Sequence, residues 1–219
     1  MTKYLKGGEY SRLKGSSSVS ACIRGMFDMG VPSVRPRKGE GIEVEIVNIV
    51  ISSSLGHDIP LEKMAATLPN TEYNPEQFPG LVIRIKEPKT SALIFSSGKI
   101  VCTGARSLEK VHECIKKIIK SLEKINIKIK ITPEVTIQNI VASGSIGLDL
   151  NLNVLAMKLD NTEYEPEQFP GLVYKLPELR ATFLLFSNGK IVCTGTKSEE
   201  QVHHAVQQLI SNLKKVKNN

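Results

Sequence analysis

The chain has 219 residues, of which 41% are hydrophobic and 23% charged, with a formal net charge of +7. This is enough chain to bury a core in one or two domains, and the composition fits a soluble globular protein. The charge is uneven: residues 1–41 carry eight Lys/Arg against three Asp/Glu, residues 42–130 thirteen against ten, and residues 131–219 eight against nine.

Residues 1–41 are rich in Gly, Ser and basic side chains, and "VPSVRPRKGEG" reads as a flexible link. A basic, disordered extension is expected there. "IEVEIVNIVIS" follows, β-branched and partly alternating, and predicts a strand. "DIPLEKMAATLP" predicts a short helix with Asp58 near its start and Pro69 stopping it. "YNPEQFPG" is a Pro-rich link with a short strand at most. "GLVIRIKE", "TSALIFS" and "KIVCTGA" predict short strands, the last two joined by a tight turn at "SSGK". "SLEKVHECIKKIIKSLEKI" predicts an amphipathic helix capped by Ser107, with Val111, Ile115, Ile118, Ile119 and Leu122 on its apolar stripe.

Near Lys130–Pro133 the pattern begins again. Asn48/Asn139, Tyr73/Tyr164, Phe78/Phe169, Phe95/Phe186, Thr103/Thr194 and His112/His203 all lie 91 residues apart. Between residues 71–104 and 162–195, 22 of 34 positions are identical. The second long helix repeats the stripe at Val202, Val206, Leu209, Ile210 and Leu213. The organisation expected is an extension at 1–41, one repeat at 42–130 and a second at 131–219. Two copies are too few for a solenoid and suggest a pseudo-two-fold instead.

Each copy has five strands and one long helix, and one helix covers only one sheet face. The expected class is α+β, a single antiparallel sheet with helices on one side. In "KIVCTG" the strand period puts Ile100 and Cys102 on one side and Val101 and Thr103 on the other. Both sides are largely apolar, so the uncovered face calls for a partner. Four of the six phenylalanines are the repeated Phe78, Phe95, Phe169 and Phe186. Single phenylalanines are ordinary core residues. Duplicated beside Pro-Gly and beside a hairpin turn, these look like rigid wedges at the two ends of a sheet. Asn48 and Asn139 sit in apolar strands, where an unpaired amide is costly. They require either a local backbone bond or a symmetric polar partner.

Together these segments resemble the TATA-box-binding protein family in its archaeal form. "VNIVIS", "EYNPEQFPGLVIRIKEPKTSALIFSSGKIVCTGA", "IQNIVASG" and "EYEPEQFPGLVYKL…LLFSNGKIVCTG" carry the resemblance, which spans residues 42–217. It implies a saddle: ten strands on the concave underside and four helices on the convex top. It implies a general transcription initiation factor that widens and bends the minor groove of TATA-box DNA with inserted side chains. Phe78 with Phe95, and Phe169 with Phe186, would be the wedges. Val50, Val101, Val141, Val192, Leu93 and Leu184 would face the groove floor, where a guanine amino group would be buried without a partner. Asn48, Asn139, Thr103 and Thr194 would bond adenine N3 and thymine O2 near the dyad. Arg84, Lys99, Arg106, Lys175, Lys190 and Lys197 would meet phosphates. Glu165, Glu167 and Gln168 would dock transcription factor B, which brings RNA polymerase. The first copy has Asn74 where the second has Glu165, a break in symmetry that could set direction. Residues 1–41 match nothing in the family; non-specific DNA affinity, or a true start at Met26 or Met29, would account for them. In the second copy "KLPELRATF" departs from the family's usual turn, which the first copy keeps as "EPKTSAL".

Enzymatic readings find little support. A nuclease needs clustered carboxylates for metal, and the acidic residues here fall on helices and turns. "HEC" at 112–114 is not HExxH, adjacent His203 and His204 point apart on a helix, and Gly98-Lys99 lacks the upstream glycine of a phosphate loop. Cys22, Cys102, Cys114 and Cys193 form no CxxC and read as small core residues in a reducing compartment. No cofactor or metal is expected. The location expected is cytoplasmic, at the nucleoid, or nuclear for a eukaryotic member; no apolar run reaches membrane length. The rival reading is a protein-binding adaptor, or a paralogue that keeps the saddle with weak sequence-specific DNA binding. Without DNA, the apolar underside could form a homodimer.

Overall fold

The computed structural model describes residues 42–218; the expected basic extension lies outside the described residues. The elements run β1 (Glu43–Ser54), α1 (Leu61–Thr67), β2 (Thr71–Glu72), β3 (Gly80–Ile85), β4 (Thr90–Phe95), β5 (Lys99–Ala105) and α2 (Leu108–Lys124). They recur as β6 (Thr136–Ser145), α3 (Leu152–Lys158), β7 (Thr162–Glu163), β8 (Leu172–Leu176), β9 (Ala181–Leu185), β10 (Lys190–Thr196) and α4 (Glu199–Asn218).

All ten strands join one antiparallel sheet in the order β2-β3-β4-β5-β1-β6-β10-β9-β8-β7. The order is its own mirror about the β1–β6 seam. Asn48 pairs with Val141 and Val50 with Asn139 across that seam, so the two asparagines are dyad mates. The sheet is an open saddle with the four helices on its convex side.

The apolar stripes account for the layer between helices and sheet. From α2, Val111, Cys114, Ile115, Ile118 and Leu122 are buried against Ile51, Ile94, Ile100 and Cys102. From α4, Val202, Ala205, Val206 and Leu209 meet Ala142, Phe183, Leu185, Ile191 and Cys193. Ile119, Ile210 and Leu213, expected in the stripes, are only half-buried at their borders. Burying a side chain of this size contributes about 1.5–3 kcal/mol, so these two clusters anchor the helices.

One local expectation needs correction. The first short helix starts at Leu61, and Asp58 lies outside it. The reason is upstream: Ile59 N donates to Ser96 O at 2.8 Å, which ties this stretch to the β4–β5 turn. Pro60 takes the N-cap position without a side-chain bond, and the helix ends at Thr67, before Pro69. In the second copy Asn151 does cap α3, accepting from Val154 N at 3.2 Å. The two copies also turn differently after β3 and β8, where "KLPELRATF" departs from "EPKTSAL". The first uses a cis Glu87–Pro88 bond; the second makes a one-turn 3-10 helix at Pro177–Leu179, closed by Arg180 at φ 52°. Ser107 caps α2 as expected, accepting from Lys110 N at 3.3 Å.

Candidate nucleic-acid interface

The strand period sorts β5 cleanly. Ile100 and Cys102 are buried under α2, while Val101 and Thr103 are half-buried on the concave side. Val50 and Leu93 share that face and are also half-buried. Their mates differ. Val141, Leu184 and Val192 are 1%, 2% and 7% exposed, although they lie outside the helix-side core cluster. The two copies therefore differ here: the three second-copy positions are buried.

At the dyad each asparagine is held by its own neighbours. Asn48 Oδ1 accepts from Gly104 N at 2.7 Å, and Asn48 Nδ2 lies 3.1 Å from Thr103 Oγ1 as donor. Asn139 repeats this with Gly195 N at 2.8 Å and Thr194 Oγ1 at 3.0 Å. The backbone N–H decides the amide's orientation, since only the oxygen can accept from it. One hydrogen of each Nδ2 then remains unspent. The pair presents donors, not acceptors, at the seam. The backbone bond, one of the two readings of these residues, is present in both copies.

The four phenylalanines form two edge-to-face pairs. Phe78 and Phe95 have centroids 5.9 Å apart at 61°; Phe169 and Phe186 have centroids 6.0 Å apart at 68°. Helical turns position one ring of each pair. Phe78 N donates to Asn74 O at 2.9 Å, and Phe169 N to Glu165 O at 2.9 Å. Gly80 and Gly171 let the rings lie on the backbone: a methyl group on Gly171 would come 2.6 Å from Phe169 Cε1 and 3.1 Å from Phe186 Cε1. Rings seated this way are stiff and only half-buried.

Of the six flanking cations, three are already paired. Arg84 meets Glu72 at 3.2 Å, Arg106 meets Glu45 at 3.9 Å, and Lys175 meets Glu163 at 2.5 Å. Lys99, Lys190 and Lys197 have no ion-pair partner among the described residues. Glu165, Glu167 and Gln168 are exposed on the turn that leads into Phe169. The sequence reading overlooked the four glycines Gly80, Gly171, Gly104 and Gly195. The signal was present, because each recurs at the 91-residue offset.

Among the described residues no group of three or more His, Cys, Asp or Glu side chains could hold a metal. Cys102, Cys114 and Cys193 are buried core thiols, and burial pushes Cys193 from 9.0 up to about 12; Cys22 lies outside the described residues. No described helix is long and apolar enough to cross a membrane.

Comparison with known proteins adds the remaining observation. The family model described as "Transcription factor TFIID (or TATA-binding protein, TBP)" matches residues 43–125 and again 134–216. The chain belongs to the TATA-binding protein family. It is 49% identical over 174 residues to the TATA-box-binding protein of Methanocaldococcus jannaschii, covering 80% of this chain and 95% of that protein. It is likewise 49% identical over 174 residues to the TATA-box-binding protein of Archaeoglobus fulgidus, covering 78% and 95%. The solved structure "Methanococcus jannaschii TBP" superposes with a TM-score of 0.75 at 48% identity, covering 79% of this chain and 99% of that one. The two family matches coincide with the two sets of strands and helices described above.

Proposed function

We propose that this chain is a general transcription initiation factor that binds TATA-box DNA through the minor groove. In this reading it bends the duplex by inserting its two phenylalanine pairs. It then recruits transcription factor B, and through it RNA polymerase. The observation that carries the reading is the paired geometry: two stiff half-buried ring pairs, one per copy, with a matched donor network at the seam.

Each part has a physical task. An apolar face of valine and leucine suits A·T pairs, which lack the guanine amino group. The unspent Asn48 and Asn139 hydrogens suit adenine N3 and thymine O2, acceptors nearly alike in A·T and T·A. Discrimination of A/T from G/C should therefore be strong and discrimination of orientation weak. Ring insertion unstacks a base step at a cost of a few kcal/mol, offset by the larger contact that a bent duplex makes. Pyrimidine–purine steps such as TA bend most easily, which adds selectivity at positions no side chain touches. Lys99, Lys190 and Lys197 stand ready for phosphates. Direction would come from factor B on the Glu165/Glu167 turn, since the first copy has Asn74 in place of Glu165.

The test is energy transfer between dyes at the two ends of a short duplex. A TATATA-containing duplex should bind tightly and bring its ends together, and a G/C-substituted one should not. Phe78→Ala with Phe95→Ala should reduce the approach of the ends. With factor B added, Glu165→Lys and Glu167→Lys should remove the ternary complex and spare DNA binding. Equal, salt-sensitive binding to both duplexes with no approach would overturn the reading.

A further inference from the structure

The layer between α2 and β5 holds two thiols in contact. Cys102 Sγ lies 3.6 Å from Cys114 Sγ, and the two residues are 1% and 0% exposed. The strand supplies one sulfur and the helix the other, 12 residues further along the chain. The fold does not need both. The positions 91 residues on are Cys193 and Ala205, each 0% exposed. The second copy therefore fills the same layer with one thiol and a methyl group.

Two thiols are too few for a zinc site, which takes four ligands. Among the described residues no group of three or more His, Cys, Asp or Glu side chains stands together. What the pair does offer is a bond between its own sulfurs. Disulfide sulfurs sit about 2.05 Å apart, so closure needs an approach of about 1.5 Å. Side-chain rotation and a small shift of α2 can share that movement.

The two thiols differ in readiness. The hydrogen bond with Cys102 lowers the Cys114 thiol from its ordinary 9.0, against the push of burial. The same bond, with burial, raises Cys102. Cys114 therefore ionises first, and the thiolate is the nucleophilic form.

We infer that Cys102 and Cys114 form a redox site, which a small peroxide oxidises to a disulfide that clamps α2 to β5 in the first copy alone. The Cys114 thiolate attacks one peroxide oxygen and the O–O bond breaks. This leaves a sulfenic acid and a hydroxide, which takes up a proton to become water. The Cys102 sulfur then attacks the Cys114 sulfur, the S–O bond breaks, and the proton of Cys102 leaves with the second water. Each thiol gives up one electron, and the peroxide is reduced to two waters. Burial selects the oxidant: a peroxide can enter when α2 opens locally, whereas a bulky disulfide cannot reach sulfurs this enclosed. Because Cys102 is already in contact, it traps the sulfenic acid before further oxidation. Both sulfurs lie in the helix-side core, so the inference stands whether or not the DNA reading does.

The experiment treats the full chain with hydrogen peroxide and blocks the remaining thiols with an alkylating reagent in urea. Intact mass and tryptic peptides are then read. The folded chain should lose the mass of two hydrogens. Trypsin cuts after Arg106 and Lys110, so the peptides holding Cys102 and Cys114 should stay joined only through the new bond. Cys114→Ala copies the packing of the second copy and should fold, yet form no bond. Cys22→Ser and Cys193→Ala should each leave the bond unchanged. Amide exchange reads the clamp: α2 should exchange about tenfold or more slowly in the oxidised chain, with α4 unaltered. A bond from Cys22 to another cysteine, sulfinic acid on Cys114 without a bond, or a bond that forms only in urea would each overturn the site. Equal exchange of α2 in the two forms would overturn the clamp.

Discussion

A single buried thiol in β10 shows how far a residue's surroundings reach into its chemistry. Cys193 is 0% exposed beneath α4, and burial raises its pKa from 9.0 to about 12. The sign follows from proton counting. Between those values the unfolded thiol has lost its proton and the folded one has not. The unfolded state then binds fewer protons, so stability falls as pH rises through this window. This one group should make the chain about 1.4 kcal/mol less stable at about pH 10 than at about pH 8. Urea unfolding of the native chain and of Cys193→Ala at both values checks it: the variant should show a drop smaller by that amount. An identical drop in both would mean that the thiol is not held protonated. Residue types on this scale were legible in the sequence, but their hydrogen bonds were not. The repeated asparagines announced a symmetric polar pair. That Gly104 and Gly195 would take the amide oxygens, and so leave donors facing outward, depends on strand ends brought together across 55 residues or more. No local pattern encodes such a contact.

At the scale of elements, the two glycine pairs separate folding from function. Gly80 and Gly171 lie under the phenylalanine rings with no positive φ. Alanine there is compatible with the backbone but collides with ring carbons, so the rings must move. Gly104 and Gly195 both sit at φ +95°, and a methyl on Gly104 would also lie 3.1 Å from Lys89 O. A non-glycine residue held in such a region costs about 1–3 kcal/mol. Gly171→Ala should therefore melt close to the native chain and lose much of its bending in the energy-transfer assay. Gly104→Ala should be the reverse in rank, losing about 1–3 kcal/mol of stability in a urea titration. Comparable destabilisation by both would mean that the ring seat belongs to the core. Element identity was largely readable, because α2 and α4 carry clear apolar stripes and β5 alternates. The start of α1 was not, since Ile59 bonds to Ser96 on another element. The departure of the turn at "KLPELRATF" was legible but its form was not, since Arg180 takes a left-handed conformation that a sequence does not announce.

The described residues form a doubled unit, and its repeat spacing was enough to predict one sheet with a dyad. The mirrored strand order and the β1–β6 seam follow from two like units sharing their first strands. What the repeat could not reveal is where the copies differ: the buried Val141, Leu184 and Val192, the hydrogen bond from Asn212 to Tyr174, and the division of cations into paired and unpaired. That division has a measurable consequence for the proposed DNA complex. Each phosphate neutralised on duplex DNA contributes about −0.9 to the slope of log affinity against log salt, so six contacts give about −5. Lys99, Lys190 and Lys197 meet no carboxylate among the described residues and can bind phosphate at once. Arg84 and Lys175 must first leave Glu72 and Glu163, exposed or half-buried pairs worth no more than about 1 kcal/mol each. Changing the three unpaired lysines to Gln should flatten the slope by about 3. Glu72→Gln with Glu163→Gln should tighten binding at low salt, because two carboxylates no longer compete with phosphate for the same cations. Fluorescence titrations over a range of potassium chloride concentrations read both effects. A steep slope that survives loss of the three lysines would move the phosphate contacts to other cations, and weaker binding in the glutamate variants would show that the ion pairs position Arg84 and Lys175 for the duplex.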